Sequence, residues 1–129
     1  MKNLPLDYIA GFIEGEGCFT WTFQNHKTWV SIFSIKMHFR DKKLLQNIAF
    51  SLGLDNEIHE YVHQNRHYVQ LIVRDRKSLL FRVVPAVRWK LHGYKKIQLE
   101  SWLTEFFNRL GINAELIELC LQTPDNTTI

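Results

Sequence analysis

Cysteine is nearly absent from this 129-residue chain, which carries only Cys18 and Cys120. Two thiols give neither a disulfide framework nor a zinc-ligand spacing, so both are expected to be reduced in an intracellular protein. Organelle, bacterium and phage-infected cell share that setting. Long apolar runs are missing as well, and no secretory leader is visible, so no membrane role is expected. No glycine-rich loop is set to cradle a phosphate, and no Cys/His cluster is spaced for a metal. No serine or cysteine triad pattern occurs either, which removes the familiar nucleotide-binding, zinc-binding and nucleophilic classes.

What is present bounds the chain further. Apolar residues make up 46% of it, enough for one core, and the simplest organisation is one domain over residues 1–129. The core is expected over about residues 6–110, followed by a helical extension over about 111–122 and a frayed tail over 123–129. Net charge is only +3 with a pI near 9.0, but it is uneven. Basic residues dominate from Lys36 to Lys96, whereas Glu100, Glu105, Glu115, Glu118 and Asp125 follow. That polarity suits a basic face for a polyanion with an acidic tail turned away from it.

The hydrophobic pattern predicts helix, two strands, helix, two strands, helix and then more helix, an α+β order. Asp7 after Pro5 is the expected N-cap of the first helix, which runs to about Gly15. Strands are expected at about 18–25, 29–40, 57–63 and 67–74. Asp41 and Gly53 should bound the second helix. A third helix should start at Asp75 and stop at Pro85, where the residue before proline disfavours helix. Ile97–Leu110 reads as a long helix ended by Gly111, and a weak helix follows at about 114–121. Strand alternation turns Phe19, Trp21, Phe23, Phe33, Ile35, Met37 and Phe39 towards the helices. Ile58, Val62, Val69, Leu71 and Val73 join them.

The run from Ile9 to Gly17, IAGFIEGEG, carries most of the functional information. Gly11 in a helix interior costs roughly 1 kcal/mol relative to alanine. Close approach of a second backbone would offset that cost. Glu16 falls where the helix dipole favours cations, a conflict that a bound metal ion resolves.

This nonamer resembles the signature of the LAGLIDADG homing endonucleases, and the strand pattern Cys18–Phe23 and the block Phe33–Asp41 extend the likeness over about residues 6–110. The resemblance implies the αββαββα fold of the single-motif, homodimeric type, with a curved four-stranded antiparallel sheet and helices on one face. It further implies site-specific cleavage of double-stranded DNA at a long near-palindrome. Mg²⁺, or Mn²⁺ or Ca²⁺ in its place, is then held by Glu16 and the carbonyl of Gly15. Glu stands where the family name has Asp. Ile9, Ala10, Gly11, Ile13 and Glu14 are the implied dimer contacts, with Glu14 in a mainly structural part. Lys95 is the expected active-site lysine in the loop before the long helix, with Lys96 its competitor. His38 stands in for a glutamine that an ungapped match replaces by Met37.

The polar sheet face is then the expected DNA-binding surface. Its first hairpin supplies Thr20, Thr22, Gln24, His26, Ser34, Lys36, His38 and Arg40. Its second supplies Glu57, His59, Tyr61, His63, Arg66, Tyr68, Gln70, Ile72 and Arg74. Arg76, Lys77, Arg88 and Lys90 are expected to be merely solvated. The alternative on the same fold is an RNA-splicing maturase with intron RNA as its partner.

Overall fold

A computed structural model describes residues 1–112. The expected extension at 111–122 beyond Ile112, the frayed tail and Cys120 lie outside the described residues. Helix α1 (Leu6–Glu16) runs directly into strand β1 (Gly17–Gln24), which turns back into β2 (Thr28–His38). A short 3₁₀ turn (Phe39–Asp41) leads to α2 (Lys42–Ser51), and β3 (His59–His63) and β4 (Arg66–Val73) form the second hairpin. The four strands are ordered β1-β2-β4-β3 and every neighbouring pair is antiparallel.

The helices bury one sheet face. Phe19, Phe33, Ile35, Val69, Leu71 and Val73 meet Ile9 and Ile13 of α1 and Leu45 and Ile48 of α2 in a single core. Each fully buried side chain of this kind contributes roughly 1.5–3 kcal/mol. Three residues expected in that layer are outside it: Phe23, Phe39 and Val62 are 46%, 42% and 73% exposed. Phe23 lies at the far end of the first hairpin, where it contacts Trp29. Val62 is on edge strand β3, all of whose residues are exposed. Phe39 is exposed because β2 stops at His38, two residues earlier than the apolar pattern suggests; its ring stacks on His67 instead.

Local rules explain most boundaries. Gly17 permits the loopless passage from α1 to β1, since a Cβ there would lie 2.7 Å from Ile13 Cγ2 and 3.0 Å from its carbonyl oxygen. After α2, Gly53 adopts φ +74°. Its N–H reaches Phe50 and that of Leu54 reaches Ala49, the paired bonds of a Schellman stop. Asp7 does not cap α1; Pro5 holds the cap position, and Asp7 in the first turn pairs with Lys90 at 2.6 Å. That ammonium holds the Asp7 carboxyl below its ordinary value.

Asp75 accepts from Ser78 N at 2.9 Å and starts α3 (Arg76–Ser78). The helix does not end at Pro85. It widens into a π turn (Leu79–Val83) and continues as α4 (Val84–Val87). Proline lacks the N–H that a regular turn would require, and the wider turn makes room for its ring. Helix α5 (Tyr94–Leu110) starts earlier than expected and stops before Gly111, at φ +67°. Arg88 is no surface residue either: it is 7% exposed, and its guanidinium grips Glu100 through two contacts of 2.9 Å.

Candidate active site and nucleic-acid interface

Glu16 is the last residue of α1 and is exposed. Its carboxylate makes no hydrogen bond or ion pair within the described residues. It shares the helix end with backbone carbonyls that have no intrahelical donor, Gly15 among them, where the dipole is negative. Such an oxygen-rich end suits a hard divalent cation that completes its shell with water and phosphate oxygens. Among the described residues, no three or more His, Cys, Asp and Glu side chains converge as a closed cage. One carboxylate beside a helix-end carbonyl is a donor set that fits an open site of the magnesium kind.

Glu14, two residues earlier, is engaged elsewhere. Its carboxylate accepts from His92 N at 2.6 Å and Gly93 N at 3.2 Å, tying α1 to the chain ahead of α5. That tie positions Lys95, which lies in the first turn of α5 and not in the preceding loop. Lys95 Nζ donates to the carbonyl of Gly17, the residue after Glu16. Gln98, one turn further on, accepts from Phe19 N at 3.2 Å. Helix α5 thus holds the start of edge strand β1 from its side. The side chain of Lys96 is exposed and makes no bond within the described residues.

His38 ends β2, and its Nδ1 accepts from Arg40 N at 3.2 Å. Met37 is half-buried and packs against the core. Glu16, Lys36, His38, Arg66, His67 and Tyr68 line one groove of about 540 Å³. Lys95 is not among its lining residues; it reaches Glu16's neighbourhood through the Gly17 carbonyl.

The strand register defines the open face. Thr20 stands opposite Ile32 and Thr22 opposite Val30; Ser34 faces Ile72, Lys36 faces Gln70 and His38 faces Tyr68. His59, Tyr61 and His63 of β3 stand opposite Gln70, Tyr68 and Arg66. The rows gather Thr20, Thr22, Gln24, Ser34, Lys36, His38, His59, Tyr61, His63, Arg66, Tyr68, Gln70 and Ile72 on one surface. His26 is at the hairpin tip with φ +55°, Arg40 in the 3₁₀ turn, Glu57 ahead of β3 and Arg74 after β4; all four are exposed at the margins. Lys36 Nζ lies 4.2 Å from the Tyr68 ring centroid, and Tyr61 stacks on Tyr68 at 5.1 Å.

Sequence reasoning passed over Val30 and Ile32, although they share the parity of Ser34 and Lys36. It also passed over Gln98, for which no local signal existed, and His67. His67 Nε2 meets Glu60 at 2.6 Å while Lys42 meets the same carboxylate at 3.3 Å, bracing the second hairpin against α2.

The expected dimer contacts need correction. Ile9, Ala10 and Ile13 are buried in the chain's own core at 0%, 2% and 0% exposure, and Glu14 is held by the loop. They are not free to meet a second chain. The outward strip of α1 carries Tyr8, Gly11 and Gly15, with half-buried Phe12 at its edge.

Comparison with known proteins agrees with this geometry. A family model described as LAGLIDADG endonuclease matches residues 9–106. The structure of the I-LtrWI LAGLIDADG homing endonuclease bound to target DNA is similar, at 26% identity and a TM-score of 0.70 over 82% of this chain and 37% of that one. I-GzeII, in complex with its DNA target, gives 19% identity and 0.73, over 94% of this chain and 44% of its own. The homing endonuclease I-TnaI gives 21% and 0.64, over 93% of this chain and 97% of its own. This chain therefore spans less than half the length of the first two and nearly all of the third. No protein of curated function matches it. With the family match extending from α1 through most of α5, the chain belongs to the LAGLIDADG endonuclease family.

Proposed function

We propose that the protein is a divalent-metal-dependent, site-specific endonuclease that cuts double-stranded DNA as a homodimer at a long, near-palindromic target. The observation that carries this reading is Glu16: a free carboxylate at a helix C-terminus, in one groove with Lys36, His38 and Arg66. Carboxylate and cationic groups gathered beside an open polar sheet face suit a metal and a phosphodiester backbone together. The face has the hydrogen-bonding groups for base edges in a major groove.

Glu16 and the Gly15 carbonyl would hold magnesium, which supplies an activated water and charge neutralisation at the leaving 3′ oxygen. Lys95 spends one ammonium proton on Gly17 and keeps two to offer. Its fixed charge then favours the negative charge that grows on the scissile phosphate. His38 accepts at Nδ1, so in the neutral ring Nε2 carries the hydrogen. It donates to a water or phosphate oxygen, the part a glutamine amide would play.

One Glu16 per chain serves one strand, so a second copy is required for a double-strand cut. Support for the pairing surface comes from Gly11 and Gly15, whose Cβ positions would meet nothing within 4 Å. Packing inside the chain does not explain glycine there; a second helix backbone along the strip does. The Tyr61–Tyr68 stack also suits unpaired bases, which favours RNA binding as the second reading.

Selection of cleaved sites from a randomised duplex library with Mg²⁺ tests the proposal. A long near-palindrome cut on both strands is expected. Absence of cleavage, with specific binding to structured intron RNA, would replace it by the maturase reading.

A further inference from the structure

Three aliphatic side chains interrupt the polar open face. Among the described residues on the strand rows of that face, only Val30, Ile32 and Ile72 are aliphatic. Val30 and Ile32 are successive same-face residues of β2, and Ile72 of β4 faces Ser34, which makes it a diagonal neighbour of Ile32. All three are half-buried, so each keeps surface to offer, and the helices pack on the opposite face. Thr22 and Thr20 border the patch on β1, and the Lys36–Gln70 row follows it towards Glu16.

A patch of this kind has one counterpart in a duplex major groove. Every base pair there shows hydrogen-bonding edges, but only thymine adds an apolar group, its C5 methyl, beside the O4 acceptor. Aliphatic carbons flanked by threonine hydroxyls match that pair of features. The neighbouring lysine and glutamine match the polar edges of the bases on either side.

We infer that Val30, Ile32 and Ile72 are specificity-determining residues that select thymine within each half-site through contact with its methyl group. The inference rests on the endonuclease reading and adds to it a base preference that charge alone cannot supply.

The test uses the intact protein and the duplex recovered by cleavage selection. Each thymine is replaced in turn by deoxyuridine, which deletes the methyl and leaves base pairing unchanged. At one or two positions of each half-site, binding is expected to weaken about fourfold per methyl removed. Ile32→Gln and Ile72→Gln variants should bind the thymine and uracil duplexes alike at those positions, while Ile72→Val keeps the distinction. Melting curves establish that each variant is folded. Equal binding of all uracil duplexes by the parent, or an undiminished thymine preference in both glutamine variants, overturns the inference while cleavage itself leaves the endonuclease reading intact. A library that yields no bound or cut duplex overturns both.

Discussion

At Gly17 a methyl group has no space. A Cβ would press on Ile13 Cγ2 and on the Ile13 carbonyl, and both belong to the packed end of α1. Gly17→Ala should therefore cost roughly 1–3 kcal/mol, the range of overpacked sites, read as a lowered urea midpoint. Lys95 differs in kind, since its ammonium end touches only a backbone carbonyl. Lys95→Met should slow cleavage about a hundredfold, as removal of one fixed transition-state donor does, and leave DNA affinity nearly unchanged. A parallel loss of affinity would make Lys95 a phosphate anchor. The place of Glu16 at the end of α1 was legible in the sequence, where an acid between glycines at a helix end is chemically anomalous. Gln98 was not, because its bond to Phe19 N joins residues far apart in the chain.

Secondary-structure elements carry a second set of outcomes. Helix α1 shows the helix layer Ile9 and Ile13 and shows solvent Gly11 and Gly15. The helical period revealed an amphipathic element, but assigning its small residues to an outer or inner face required the packed structure. Gly11→Leu gains helix propensity, up to about 1 kcal/mol, and its Cβ enters open space within its own chain. The variant should melt no lower than the parent yet sediment as a monomer and lose double-strand cleavage. A dimer that survives would place the contact elsewhere. Pro85 misled for a related reason: proline forbids a regular turn, and a π turn is not regular. On the second hairpin, hydrogen bonds from His67 and then Lys42 hold the Glu60 carboxyl below its ordinary value. A lowered folded value means stabilisation that is present above the unfolded value and lost as pH falls through the folded one. Urea unfolding between about pH 6 and 3 should show a shallower acid loss for Glu60→Gln than for the parent. Identical slopes would remove the brace from the account.

For the whole molecule, the α+β order, the open face and the polar residues on it follow from alternation, because a strand has period two and its faces cannot mix. The extent of the helix layer did not follow, since no sequence rule says how far helices cover a sheet; Val62 and Phe23 lie past its margin. Nor did the ion pair of buried Arg88 with the part-exposed Glu100, which ties the end of α4 to α5. One chain supplies one free carboxylate, one basic groove and one open face, so the proposed cut of both strands at a two-fold target calls for a paired molecule. The central claim is that Glu16 performs the chemistry while the sheet face performs the binding. Parent and Glu16→Gln proteins are therefore to be compared on the selected duplex with Mg²⁺, for binding and for cleavage of each strand. Unchanged affinity with neither strand cut is the predicted result; cleavage by the variant at the parent's rate would contradict it.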